Sequence, residues 1–153
     1  MSDKNKSNLL VTIQFVLLAV IIGVPMPKFG EDFPDWVVGV GSVLVWVGLV
    51  ILALSIFKLG ASLTASPIPK NDSELKTDGL YKWMRHPIYT GLIATALGLA
   101  IEAESMLAIL VALVLIALLN YKAKWEESFL LERYPEYRTY MSKTGRFVPR
   151  LNR

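Results

Sequence analysis

Four apolar runs separated by polar segments dominate the chain, and no Asp, Glu, Lys, Arg or His lies inside any of them. The runs cover residues 9–24, 36–57, 88–101 and 106–119. Uncharged blocks of this kind predict membrane helices rather than the one-sided apolar stripe of a soluble helix. The second run can cross a hydrocarbon core of roughly 30 Å, whereas the first is short for a span. The last two runs predict a helical hairpin.

The polar segments indicate where these helices begin and end. Asp35 is expected to cap the second helix. Pro87 fits the first turn of the third helix. The fourth helix is expected to continue as an amphipathic extension to about residue 133, where Tyr134-Pro135 ends it. The sequence therefore predicts an all-α integral membrane protein with about four transmembrane helices.

Charge alternates along the polar segments and predicts the orientation of the spans. The first loop carries one base against three acids, and the hairpin turn carries two acids and no base. The long connection of residues 58–85 carries five bases against three acids, and residues 122–153 carry eight against four. Because basic segments stay on the cytoplasmic side, both termini and the long connection are expected there.

Composition excludes several classes of function. The chain has no cysteine and one histidine, so it offers no disulfide or thiolate nucleophile, and we expect no metal site. The basic excess is modest and follows the membrane topology, so no nucleic-acid partner is expected. The chain is interpreted as one membrane domain, with two scaffold spans in residues 1–58 and the functional motifs in residues 59–153.

The histidine lies in Arg85-His86-Pro87-Ile88-Tyr89, at the start of the third helix. One interpretation is an interfacial cluster, in which the polar side chains lie at the level of the lipid headgroups. The other is a binding pocket, because His86 and Tyr89 are three residues apart and share a helix face. Composition alone favours the first interpretation.

Glu126 and Glu127 follow the last apolar run and are the second candidate. Adjacent glutamates near a membrane surface usually form a solvated face. However, Lys122 is four residues before Glu126, so these two side chains can pair. A carboxylate at this position can also accept hydrogen bonds from ribose hydroxyls or an ammonium group.

The ordered motifs resemble the isoprenylcysteine carboxyl methyltransferase and phospholipid methyltransferase superfamily. The resemblance runs from about residue 75 to 149. It rests on Gly79-Leu80-Tyr81, the segment from Arg85 to Gly91, the apolar hairpin, the glutamate pair, and a tail containing Tyr137, Tyr140 and Arg146-Phe147-Val148-Pro149. The resemblance implies an integral membrane enzyme that uses S-adenosyl-L-methionine as methyl donor.

The resemblance also implies roles for single residues. The expected donor-binding residues are Tyr81, His86, Pro87, Ile88, Tyr89, Glu126 and Glu127. Residues 73–76 would approach the donor through backbone groups. Lys122 stands where the family often has an arginine that meets the substrate, although lysine lacks the bidentate fork. Arg85 is expected nearest the reacting centre. The donor pocket, formed by the long connection and the C-terminal helix, is expected on the cytoplasmic side.

The acceptor remains open between a prenylated thiol-carboxylate, a phospholipid amine, a small thiol and an isoprenoid hydroxyl. We expect a lipophilic acceptor to enter sideways from the bilayer lipids between helices. Gly41 and Gly48 share a face of the second span and permit a close helix neighbour, so a homodimer is compatible with the sequence.

Two alternatives compete with methyl transfer. Sterol-type membrane reductases carry a similar His-Pro-x-Tyr element and bind NADPH, but Leu92 follows Gly91 here where they tend to have an acid. A non-enzymatic four-helix transporter or subunit usually places an ionisable residue within a span. The mid-span positions of all four apolar runs lack one.

Overall fold

The computed structural model describes residues 2–28, 32–69 and 74–150. Within these ranges the chain forms five α-helices: α1 Asp3–Gly23, α2 Asp35–Leu59, α3 Pro87–Glu102, α4 Met106–Arg133 and α5 Tyr137–Lys143. Short 3-10 turns cover Gly60–Ser62 and Gly79–Lys82. In the described ranges, β-pairing is limited to one isolated parallel bridge between Met84 and Gly145. The all-α prediction is confirmed.

Three helices, α1, α2 and α4, are long and apolar enough to cross a membrane. Helix α3 is also apolar but has 16 residues, which is short for a full crossing. The predicted count of about four spans thus corresponds to three full-length candidates and one shorter helix among the described residues. The outer surfaces of these helices are apolar and include the exposed side chains of Trp46 and Phe57 on α2, as expected for an integral membrane protein.

Helix boundaries follow the expected chemistry with two differences. Helix α1 begins at Asp3 rather than near residue 9, because the Ser2 hydroxyl accepts a hydrogen bond from the Asn5 amide and caps the polar first turns. Asp35 lies in the first turn of α2, and Pro34 occupies the cap position. Helix α4 continues without a break from the apolar run to Arg133, as predicted.

Helices α2 and α3 pack backbone to backbone in antiparallel directions. A Cβ atom added to Gly48 would lie 2.6 Å from the Thr95 amide nitrogen and 2.8 Å from the Gly91 carbonyl oxygen. A Cβ atom on Gly41 would lie 3.0 Å from the Gly98 carbonyl oxygen. The close neighbour that Gly41 and Gly48 permit is therefore α3 of the same chain.

The end of the bundle that holds the α3–α4 turn is fastened to the first loop. The Glu104 carboxylate accepts from the Phe33 amide at 2.8 Å and from Lys28 Nζ. Ser105 caps α4 and donates to the Pro27 carbonyl oxygen at 2.8 Å. These contacts stabilise the end of the bundle that is opposite His86.

The opposite end is where α2 ends, α3 begins and the extension of α4 leaves the apolar bundle. The tail returns to this end and runs beside the residues that precede α3. The Arg85 amide donates to the Gly145 carbonyl oxygen at 2.9 Å, and the His86 amide donates to that of Arg146 at 3.0 Å. The Thr90 hydroxyl donates to the Phe147 carbonyl oxygen at 2.7 Å. This pairing brings segments about 60 positions apart together.

Candidate active site

A cavity lies at this end of the molecule. Its lining comes from the end of α2 with the connection behind it, the segment leading into α3, the extension of α4, and α5. Six of the predicted site residues line it: Tyr81, Arg85, His86, Ile88, Tyr89 and Glu126. Pro87, Lys122 and Glu127 are buried beside it and are not part of its lining.

His86, Tyr89 and Glu126 form one continuous group on the wall of this cavity. Pro87 begins α3, so His86 and Tyr89 lie on consecutive turns of one face. Their rings stack with centroids 5.3 Å apart and planes 1° apart. The Tyr89 hydroxyl donates to Glu126 Oε2 at 2.9 Å, and His86 Nδ1 lies 3.7 Å from the same oxygen. The Glu126 carboxylate is therefore held in place while its side chain stays 27% exposed.

Glu127 is buried outside the cavity lining and binds cationic groups. Its Oε1 accepts from Arg85 Nε at 2.8 Å and lies 3.2 Å from His86 Nε2. Because a carboxylate only accepts, this imidazole nitrogen carries a proton. Its Oε2 accepts from Arg146 Nη2 at 2.7 Å. The predicted donor-binding role of Glu127 stays a prediction, since the contacts of its carboxylate are to the protein itself.

Arg85 is fixed at the back of the cavity. Besides Glu127, its Nη1 donates to the carbonyl oxygens of Met141 and Thr144, the first at 3.2 Å. The side chain is 8% exposed. The guanidinium thus lies at the boundary between the cavity and the tail, with a rigid orientation.

Arg146 belongs to the site, although sequence reasoning assigned it no role. Its Nη1 also donates to Asn120 Oδ1 at 3.2 Å, so it joins the tail to two positions on α4. The available signal was its place in the tail motif Arg146-Phe147-Val148-Pro149. That motif gives no indication of the glutamate it meets, because the contact depends on the pairing of the tail with Arg85 and His86.

Lys122 is fully buried in the bundle. Its Nζ donates to Gln14 Oε1 on α1 and, at 3.0 Å, to the Ala65 carbonyl oxygen, and it lies 5.5 Å from the centroid of the Tyr89 ring. Within the described part of the chain, the ammonium is thus bonded to Gln14 and Ala65, and the expected pairing with Glu126 is not formed. The predicted acceptor-binding role of Lys122 stays a prediction.

Three tyrosines, Tyr81, Tyr137 and Tyr140, form a second face of the cavity, the tyrosine wall. The Tyr140 hydroxyl donates to the Tyr81 carbonyl oxygen at 2.5 Å. The Tyr137 hydroxyl is buried and has no hydrogen-bond partner among the described residues. Burial raises the pKa of all three phenols above the usual value, so they are neutral at physiological pH.

The connection before α3 completes the lining. Glu74, Leu75 and Lys76 line the cavity, and Lys76 Nζ donates to Glu74 Oε2 at 3.0 Å. Ser73, the first residue of the predicted backbone approach, lies outside the described residues. A search of residues 2–28, 32–69 and 74–150 finds no group of three or more ligand-type side chains that could hold a metal ion.

The fold and the site define a class: an α-helical integral membrane protein with a polar and aromatic cavity at one end of its bundle. The phospholipid methyltransferase family model matches residues 36–137, and the chain belongs to this family. It is 31% identical over 152 residues to a probable protein-S-isoprenylcysteine O-methyltransferase of Oryza sativa subsp. indica, covering 94% of this chain and 80% of that protein. The resemblance read from the motifs is confirmed.

Two further comparisons extend this result. A cobalt-zinc-cadmium resistance protein of Cupriavidus metallidurans is 32% identical over 147 residues, or 93% of this chain and 62% of that protein. The chain thus spans just over three-fifths of that relative. The solved structure of the eukaryotic intramembrane Ras methyltransferase, isoprenylcysteine carboxyl methyltransferase, matches with a TM-score of 0.67 at 22% identity, over 96% of this chain and 50% of that one. This likeness supports the fold.

Proposed function

We propose that this protein transfers a methyl group from S-adenosyl-L-methionine to a lipophilic or membrane-associated acceptor. The observation that carries the proposal is the pairing of a fixed, cavity-facing carboxylate, Glu126, with aromatic faces in a cavity beside apolar helices. Family membership supports the reaction class. When bound, the donor supplies an electrophilic methyl group on a sulfonium.

The residues present fit this donor. The cavity lining combines apolar and aromatic side chains with a few polar groups, which is the usual composition of a small-molecule site. Tyr89 uses Oε2 of Glu126, so Oε1 remains to accept from a ribose hydroxyl or an ammonium group. The ring of Tyr81, which lines the cavity, suits a cationic ligand. The buried Tyr137 hydroxyl is a further donor without a protein partner in the described ranges.

The chain contributes to the reaction by binding and orientation. Methyl transfer to a nucleophile needs aligned reactants and little covalent help, so a preformed pocket supplies most of the acceleration. Arg85 is proposed as the residue nearest the reacting centre. Arg85 lines the cavity, and its Nε and Nη1 are held by Glu127 and the tail, so its guanidinium has a fixed orientation there.

The acceptor is proposed to enter from the bilayer, and the donor from the cytoplasm. Apolar lining by Leu59, Ile88 and Leu130 supports the first part, since these residues continue the apolar surfaces of α2, α3 and α4. The excess of basic residues in segments 58–85 and 122–153, which meet at the cavity end of the molecule, supports entry of the donor from the cytoplasm. Methylation restricted to freely soluble acceptors would overturn lateral entry.

Calorimetric titration with S-adenosylmethionine and its demethylated product, S-adenosylhomocysteine, tests the donor site. We expect wild-type affinity on the order of micromolar. The Glu126→Gln variant should bind at least about tenfold more weakly, because a charged acceptor is replaced by a neutral amide, which forms a weaker hydrogen bond. Glu132→Gln is the matched control, since Glu132 is exposed on the same helix.

Folded wild-type protein that binds neither ligand, or a Glu126→Gln variant that binds as the wild type does, would overturn the proposal. NADPH titration runs in parallel. Binding of NADPH in place of the methyl donor would identify the reductase alternative.

A further inference from the structure

Lys122 is a buried charge that the proposed reaction does not use. It lies one turn before Glu126 on α4, yet it is fully buried and absent from the cavity lining. A lysine inside an apolar bundle is costly unless its ammonium is well partnered. Its partners are Gln14 Oε1 and the Ala65 carbonyl oxygen, and Gln14 is itself 4% exposed. The contacts therefore join α4, α1 and the connection that follows α2.

A second contact joins the same two segments. The hydroxyls of Ser7 on α1 and Ser66 are 2.8 Å apart, and Ser7 is 2% exposed. Thr64 and Ser66 flank Ala65 and both line the cavity. Helix α1 contributes no described residue to the lining. Lys122 and Ser7 nevertheless connect it to residues 64–66, the segment whose Thr64 and Ser66 belong to the lining; we call this segment the 64–66 wall.

The Lys122 ammonium also contacts the aromatic group that orients the carboxylate. It lies 5.5 Å from the centroid of the Tyr89 ring, and the Tyr89 hydroxyl donates to Glu126. A single side chain thus contacts both the 64–66 wall and the Tyr89–Glu126 pair. Loss of this side chain would release two parts of the cavity together.

We propose that Lys122 is a positioning residue, whose ammonium fastens the 64–66 wall to α1 and holds Tyr89 in register with Glu126. The family resemblance implied contact with the acceptor, whereas the observed contacts are all internal. A preformed wall removes an ordering cost from ligand binding, so the effect falls on donor affinity. This inference rests on the proposed function for its ligand, but not for the contact itself.

The test begins with Lys122→Met, which keeps a long apolar chain and removes the donors. We expect affinity for S-adenosylhomocysteine to fall about tenfold, which corresponds to about 1.4 kcal/mol. Amide hydrogen exchange of residues 62–69, measured without ligand, should become faster. Lys122→Arg, which keeps charge and donors, should remain close to wild type. Lys124→Met is the control, since Lys124 is exposed on the same helix.

A covalent rescue separates positioning from direct ligand contact. The chain has no cysteine, so the pair Ser7→Cys and Ser66→Cys would introduce a single disulfide between α1 and the wall. In the Lys122→Met background, we expect the oxidised pair to restore most of the affinity and the slow exchange. Reduction should remove the rescue. If Lys122→Met does not fold by itself, it is purified with the oxidised pair and reduced for the measurement.

Two results would overturn the inference. One is unchanged affinity and exchange in Lys122→Met. The other is lost affinity with unchanged exchange and no rescue by the disulfide, which would indicate direct ligand contact. If wild-type protein binds no S-adenosylhomocysteine, the proposed function fails. Exchange of residues 62–69 then still decides whether Lys122 fastens the wall.

Discussion

Two adjacent glutamates should respond in opposite ways to the same substitution. Glu127 has a side chain 4% exposed and is surrounded by cationic groups, whereas Glu126 is 27% exposed and faces the cavity. We expect Glu127→Gln to lower the stability of the fold. Glu126→Gln should leave stability nearly unchanged and reduce donor affinity instead.

The contacts of Glu127 set the size of the effect. It accepts from Arg85 Nε at 2.8 Å and from Arg146 Nη2 at 2.7 Å. A neutral amide leaves the buried Arg85 guanidinium without its counter-charge and turns an NH₂ group toward a donor. Breaking a buried ion pair costs about 3–5 kcal/mol. Arg146 is 29% exposed and recovers part of its solvation, so we expect about 3 kcal/mol.

Thermal unfolding in detergent measures this loss. At about 2–4 °C per kcal/mol for a chain of this size, the melting temperature should fall by roughly 6–12 °C in Glu127→Gln. In Glu126→Gln it should stay within about 2 °C of wild type, because glutamine keeps an acceptor for the Tyr89 hydroxyl and the side chain is partly exposed, so the expected cost is about 0.5 kcal/mol or less. Titration with S-adenosylhomocysteine on the same samples measures donor affinity.

Equal melting temperatures in the two variants, or a larger fall in Glu126→Gln, would refute the reasoning. A double-mutant cycle provides an independent check. Glu127→Gln and Arg146→Met should be non-additive by about 0.5–3 kcal/mol, because the two side chains share a contact. Additive losses would indicate that the observed pairing does not contribute to stability.

Three further predictions concern the cavity and the helix packing. Tyr89→Phe removes the hydrogen bond to Glu126 and keeps the ring, so donor affinity measured by calorimetry should fall about 10-fold. Gly48→Ala places a Cβ atom against the backbone of α3 and should cost about 1–3 kcal/mol in thermal unfolding, whereas Gly39→Ala, with open space around it, should not destabilise. Burial raises the pKa of the tyrosine-wall phenols, so above about pH 10 the unfolded state loses protons that the folded state keeps. Melting temperature should therefore fall from about pH 10 upward, and less steeply in Tyr137→Phe.

Local sequence determined the helices and the motif that begins α3. Uncharged runs favour helices in a membrane irrespective of their neighbours, because each backbone group is satisfied within its own segment. Pro87 fixes the start of α3, so His86 and Tyr89 share a face and stack. The family resemblance added nine site residues, six of which line one cavity, although their roles in the reaction stay predictions.

Tertiary structure alone decided what each polar side chain meets. Consecutive helical residues point about 100° apart, so Glu126 and Glu127 necessarily face different surroundings. Which groups each carboxylate meets depends on how the tail and α3 pack against α4. Arg146 reaches Glu127 because the tail pairs with residues about 60 positions earlier. Lys122 donates to α1 and to the connection rather than to Glu126, because Gln14 Oε1 and the Ala65 carbonyl oxygen lie within hydrogen-bond distance of its ammonium. Such long-range partners are not encoded in spacing, and only the packed bundle brings them within hydrogen-bond distance.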